Sequence, residues 1–150
     1  MQRIDKKNVV LHDKNWIQDE VEFGYRIIEY FESVPCGGFR EINDNVEGFL
    51  EIPSSLLGKG EYFAVRAHGS SMIDAGIEDG DVVIVEKNVS PQNGQIAVIL
   101  SKGEVSLKRF FRSEEKQEYI LKPENLDCKC IVVDECSVLG IAVKVIKDIK

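Results

Sequence analysis

A hydroxyl at Ser71 and an amine at Lys108 stand 37 residues apart in this 150-residue chain, and the two groups together could form a minimal peptidase. A serine hydroxyl is a poor nucleophile until a neighbour takes its proton, and an uncharged lysine can do that without histidine or aspartate. The obstacle is the lysine's own charge. At an ordinary pKa of about 10.4, only roughly one amine in a few thousand is uncharged at neutral pH. Burial lowers that pKa because the ammonium loses its water, so the chemistry needs elements that bury Lys108 and hold Ser71 beside it. Residue type alone does not single out the pair, since the chain has 19 Lys plus Arg and further serines.

The surrounding text does. Ala67-His68-Gly69-Ser70-Ser71-Met72-Ile73-Asp74-Ala75-Gly76-Ile77 is followed by Asp79-Gly80-Asp81-Val82-Val83-Ile84-Val85, by Gly94-Gln95-Ile96-Ala97-Val98-Ile99, and by Glu104-Val105-Ser106-Leu107-Lys108-Arg109. This resembles the LexA and UmuD family of self-cleaving serine-lysine peptidases. In that family the serine before Met in a G-x-S-M-x-D block is the nucleophile, and the lysine of a V-x-V-K-R/K-like strand is the general base. The resemblance runs from Val34 to Ile149 and takes in Leu121-Lys122-Pro123-Glu124-Asn125 and Val138-Leu139-Gly140-Ile141-Ala142-Val143. It implies Ser71 as nucleophile, Lys108 as base, and the backbone N–H groups of Ser70 and Ser71 as oxyanion donors.

The substrate is implied by the same resemblance. Val34-Pro35-Cys36-Gly37 is similar to the family's internal cleavage site, a small residue, Ala or Cys, followed by Gly, so the bond implied to break is Cys36–Gly37. Pro35 keeps Val34 extended, and Gly37 has no side chain to hinder attack on the Cys36 carbonyl carbon. Standing by themselves, these four residues also read as an ordinary Pro/Gly turn. His68 replaces the small residue usual in the relatives, and either hydrogen-bonds near Ser71 or faces solvent. Gly38 and Phe39-Arg40-Glu41-Ile42 are only loosely family-like.

From Gly48 onward the pattern is that of short strands: Phe49 to Ile52, Tyr62 to Arg66, Asp81 to Glu86, Gln95 to Leu100, Glu104 to Phe110, Glu118 to Lys122, Ile131 to Val133 and Val138 to Ile146. Gly58-Lys59-Gly60, Asp79-Gly80, Asn93-Gly94 and Lys102-Gly103 punctuate them as turns. The expected fold class is mostly β, and the resemblance implies compact, strongly bent antiparallel sheets of the LexA/UmuD C-terminal, signal-peptidase-like type. Ser71 would then start a short helical turn and Lys108 would lie on a hairpin strand. There the two-residue period directs Lys108 away from Leu107 and onto the face of Phe110, which would help to desolvate it. Between Trp16 and Phe31 the apolar spacing is mixed and fits one short helix or a docking strand.

Length and a 43% hydrophobic content allow one core-forming domain plus an arm. Residues 1–36 are read as an arm removed by self-cleavage, and residues 37–150 as an autopeptidase and dimerisation domain. A net charge of −7, and seven acidic against five basic residues before Cys36, disfavour direct DNA binding by this chain. The arm is also short for a helix-turn-helix head. No apolar run is long enough to span a bilayer and no signal-peptide core follows Met1, so a cytoplasmic location without membrane association is expected. Cys128-Lys129-Cys130, read as lying within a strand, together with Cys36 and Cys136, lacks a neighbouring histidine to complete a tetrahedral set; packed thiols, no metal and no cofactor are expected.

The partners implied by the resemblance are a second copy of the chain, through the apolar strand Val138 to Ile146 (ordinary core being the other reading of that strand), and the RecA filament on single-stranded DNA as co-protease. A UmuD-like protein in the SOS response to DNA damage would also, once trimmed, join an error-prone DNA polymerase in repair. A LexA-like repressor C-terminal domain acting in transcription regulation is the close variant. Two other classes stand beside these. A type I signal peptidase shares Ser-Met and Lys but calls for an anchor helix and usually a Pro soon after Ser-Met, where this chain has Ile73-Asp74. A dimeric binding module whose site has decayed would never cut itself.

Overall fold

The computed structural model describes residues 24–32 and 46–150; Cys36, Gly37 and the chain before Gly24 lie outside them. Nine strands form one sheet: β1 (Tyr25–Phe31), β2 (Gly48–Pro53), β3 (Tyr62–Arg66), β4 (Val82–Lys87), β5 (Ile96–Ser101), β6 (Glu104–Ser113), β7 (Glu118–Lys122), β8 (Ile131–Val133) and β9 (Ser137–Ile146). Their order across the sheet is β2-β1-β3-β4-β9-β5-β6-β7-β8. The mostly β expectation holds, and so do the strand positions from Gly48 onward to within a residue or two at most ends, apart from the longer C-terminal end of β6. The segment left between helix and strand is, from Tyr25, a strand.

The sheet is mixed rather than wholly antiparallel. β1 pairs antiparallel with β2 and parallel with β3. After β2 the chain crosses through the short 3-10 turn Ser54–Leu56 to the far side of β1, and this second reversal leaves β3 running with β1. Arg26 fastens the crossing by donating to the carbonyls of Gly58 and Gly60 at 2.8 and 2.7 Å.

β3 and β4 are apolar on both faces. Phe63, Val65, Val83 and Val85 enter a core with Phe31, Ala67, Met72, Ile77 and Val98, while Tyr62, Ala64 and Ile84 pack with Ile28 and Ile52. A third core joins Ala97 and Ile99 to Phe110, Leu121 and Val133. β5 thus sends Val98 to the first core and its neighbours to the third, tying the halves of the sheet together.

The bend expected of the fold comes from β9. Its register slips once against β4, between Ile84 and Val85, and once against β5, between Val98 and Ile99. Each slip leaves one β9 residue unopposed, Val143 and Leu139, and such bulges bend and twist a strand. Gly140 stands between them, paired with Lys87 on one side and Val98 on the other. A Cβ there would sit 2.5 Å from the Glu86 carbonyl oxygen and 2.5 Å from a Val85 methyl, so the fold closes only around a hydrogen at this position.

Two further details differ from expectation. Cys128 and Cys130 precede β8 and are exposed, so they are not strand neighbours sharing a face. Lys102 and Gly103, both at positive φ (50° and 80°), make the tight two-residue turn between β5 and β6 that their sequence suggests.

Candidate active site

Ser71 sits on a turn held at both ends. Gly69 adopts φ of +82°, natural only to glycine, and its N–H donates to Asp79 Oδ1 at 2.7 Å. The 3-10 turn Ile73–Ala75 follows, closed by Ala75 and Ile77 N–H groups on the Met72 carbonyl at 3.0 and 3.2 Å. Met72 and Ile77 are buried in the first core at 3% and 4% exposure. The side chains flanking Ser71 therefore anchor the turn while Ser71 itself stays half-buried at its surface.

The loop after β7 clasps this turn. Glu124 N–H donates to the Ser71 carbonyl at 2.8 Å, and Asp74 N–H donates to the Glu124 carbonyl at 2.7 Å. Asn125 Nδ2 donates to the Ser70 carbonyl at 2.8 Å. The Glu124 carboxylate pairs with the Arg109 guanidinium, which also donates to the Gly94 carbonyl at 2.6 Å. That ion pair holds the Glu124 carboxyl below the ordinary carboxylate range, the Arg109 hydrogen bond outweighing desolvation. Arg109 follows Lys108 directly, so a chain of bonds from β6 through Glu124 reaches the Ser71 backbone.

Lys108 lies on β6 opposite Ala97 of β5. Its face, as the two-residue period predicts, is that of Phe110, and both side chains are buried. Lys108 is 9% exposed. Burial pushes its ammonium below the ordinary lysine value, against the opposing pull of Cys128 and Glu104. Its Nζ donates to the Leu107 carbonyl at 3.2 Å, and among the described residues no hydrogen bond joins it to the Ser71 hydroxyl.

Leu107 and Ser71 line one cavity of about 190 Å³, shared with Val65, Ala67, His68 and Met72 among others. Its walls are largely apolar; β6 contributes Val105, Ser106 and Leu107, and Lys108, which shares the face of Phe110, is not among the lining residues. His68 is exposed, in line with the solvent-facing role, and its Nε2 also lies 2.7 Å from the Glu32 carbonyl oxygen. The side chains that sequence reasoning missed are Arg109, Glu124 and Asn125. Pro123-Glu124-Asn125 was visible as part of the resemblance, but its partners lie 15 and 55 residues away, and no local pattern announces such pairings. Among the described residues no group of three or more His, Cys, Asp or Glu side chains gathers to hold a metal ion, and no helix is long and apolar enough to cross a membrane.

Comparison with known proteins bears on this arrangement. The LexA repressor of Clostridium kluyveri is 42% identical over 98 residues, 65% of this chain and 48% of that protein. That of Clostridium acetobutylicum is 41% identical over 98 residues, covering 65% and 47%, and that of Halalkalibacterium halodurans 39% over 107 residues, covering 71% and 51%. The chain spans about half the length of the curated relatives it matches. The Peptidase S24-like family model matches residues 28–143, which takes in the later part of β1, the Ser71 turn, Lys108 and most of β9, and the chain belongs to that family.

Proposed function

We propose that this protein is a self-cleaving serine peptidase in which neutral Lys108 takes the proton of Ser71 and the Ser71 oxygen attacks the Cys36 carbonyl. The amine then protonates the departing Gly37 nitrogen, and water releases the acyl-enzyme. The N–H groups of Ser70 and Ser71 are the proposed oxyanion donors. Residues 1–36 would separate covalently from the 114 residues beginning at Gly37. The observation that carries this reading is the burial of Lys108, whose ammonium is pushed toward its neutral form on a strand bonded through Arg109 and Glu124 to the backbone of Ser71.

The lysine's bond to Leu107 implies a resting state. To act, Nζ must leave the Leu107 carbonyl and turn to Ser71, and closure of the apolar segment around Val34 over the site would favour that turn by excluding water. When the competent arrangement is a minor state, the rate falls with its population, and a partner that binds it preferentially raises the rate. A RecA filament on single-stranded DNA is the proposed partner, and the SOS response in the cytoplasm the proposed setting, as a LexA-like repressor domain or a UmuD-like protein serving an error-prone polymerase. Homodimerisation is proposed through β9. Its residues beyond Ile141 pair with β4 alone among the described residues, and Val143, Val145 and Ile146 are exposed.

The same Leu107 bond favours a second reading, a dimeric regulatory module whose site no longer works. Incubation of the purified chain at neutral and alkaline pH, followed by intact-mass measurement, separates the two. Products cut at Cys36–Gly37, absent from Ser71→Ala and Lys108→Ala, support the peptidase. An uncut chain, or cuts elsewhere that survive both substitutions, would exclude it.

A further inference from the structure

We propose that His68, which lines the Ser71 cavity, is a positioning residue for self-cleavage: it holds the Glu32 carbonyl, four residues before Cys36, and so fixes the point from which the cleavable segment departs. The inference rests on the peptidase reading above and adds to it a residue with no part in the proton transfers. A carbonyl oxygen only accepts, so the 2.7 Å contact requires the proton on His68 Nε2. His68 itself lines the cavity that holds Ser71. One imidazole therefore touches both the serine's cavity and the chain entering the segment to be cut.

Glu32 is gripped from its side chain as well. Tyr30 OH donates to Glu32 Oε1 at 2.9 Å, and Arg66 Nε donates to Glu32 Oε2 at 3.1 Å and to Tyr30 OH at 2.7 Å. Arg66 is itself fixed by donation to the Gly80 carbonyl at 2.7 Å. The return end is tied nearby, where Glu47 N–H donates to the Tyr30 carbonyl at 2.9 Å. From Glu32 to Cys36 the chain has four residues to travel, a reach of at most about 14 Å. Glu32 thus lies only a short tether away from the scissile carbonyl in sequence, and misplacement by about an ångström is costly to a reaction that depends on alignment. The Arg66 and Tyr30 bonds restrain the carboxylate, whereas the His68 bond restrains the Glu32 carbonyl itself.

The test compares His68→Ala and His68→Gln in the full chain, following first-order self-cleavage by intact mass across pH 7 to 10, with thermal melting alongside. Loss of one restraining hydrogen bond is expected to slow His68→Ala roughly tenfold, about 1.4 kcal/mol of activation free energy, with melting changed by under about 2 °C. His68→Gln, which keeps an N–H donor, should recover most of the rate. The shape of the pH–rate curve should not change, because Lys108 is untouched. Equal rates for wild type and His68→Ala, equally slow Ala and Gln variants, or a moved pH midpoint would overturn the positioning role alone. A wild-type chain that never cuts would instead overturn the peptidase reading and this role with it. In an uncleavable Ser71→Ala background, faster amide hydrogen exchange across Glu29–Glu32 on adding His68→Ala supports the restraint, and unchanged exchange contradicts it.

Discussion

Truncating Phe31 to alanine tests whether the strand just before the proposed cleavage segment belongs to the folded body. Phe31 is 1% exposed and meets the Phe63 ring edge-on with centroids 5.8 Å apart. Phe→Ala in a packed core costs about 3–5 kcal/mol, and the loss of an edge-to-face pair places this site toward the upper part of that range. At roughly 3–4 °C per kcal/mol for a domain of this size, melting should fall by about 12–20 °C. Urea unfolding should show a lower midpoint with an unchanged slope. Ile27→Ala is the internal control: on the same strand but 67% exposed, it should change stability by no more than about 0.5 kcal/mol. A cost below about 1 kcal/mol for Phe31→Ala, or equal effects at the two positions, would show that β1 is not packed as described and would remove the anchor behind Glu32.

Four other outcomes are expected. Because β1 is paired on both edges and buries Ile28 and Phe31, the two products of a cut at Cys36–Gly37 should co-elute on native gel filtration while separating under denaturing conditions; independent elution would refute the docking. Lys108→Met should abolish cutting yet raise melting at pH 7. Below its lowered folded pKa the buried ammonium penalises the fold, and this penalty disappears as pH rises toward the ordinary value of 10.5, so the gain must shrink with rising pH; a constant gain would contradict the assignment. Glu124→Ala should cost about 1–2 kcal/mol, as a partly buried charge-assisted bond, and slow cutting by loosening the Ser71 turn. Since the Glu124 pKa is lowered, its contribution is present above the ordinary carboxylate range and lost as pH falls through the depressed value, so the wild-type and variant acid melting curves should converge there. Gly140→Ala should destabilise by about 1–3 kcal/mol through its backbone clash with Glu86, and a neutral result in urea unfolding would count against the closure of the sheet around β9.

Much of this was legible in the sequence for identifiable reasons. The strands from Gly48 onward announced themselves because Gly-centred turns separate them, and the run Tyr62-Phe63-Ala64-Val65 is apolar throughout because β3 is covered on both faces. β1 resisted reading for the same cause. Ile28 and Phe31 are three apart, a helical spacing, yet on a strand they point to opposite faces and enter different cores. The parallel pairing of β1 with β3 depends on where the β2 crossing lands, which no residue pattern specifies. Within the site, Lys108 and Phe110 share a buried face as period two dictates, whereas the Glu124 clasp and the His68–Glu32 contact join residues distant in sequence and emerge only from the folded chain.

The most direct measurement is the first-order rate at which the Gly37–Lys150 product appears as a function of pH. With Lys108 as the base and its pKa lowered by burial, the logarithm of the rate should climb by about one per pH unit, level off below the ordinary lysine value, and vanish in Lys108→Ala. A rate that ignores pH, or that persists without the amine, would contradict the account.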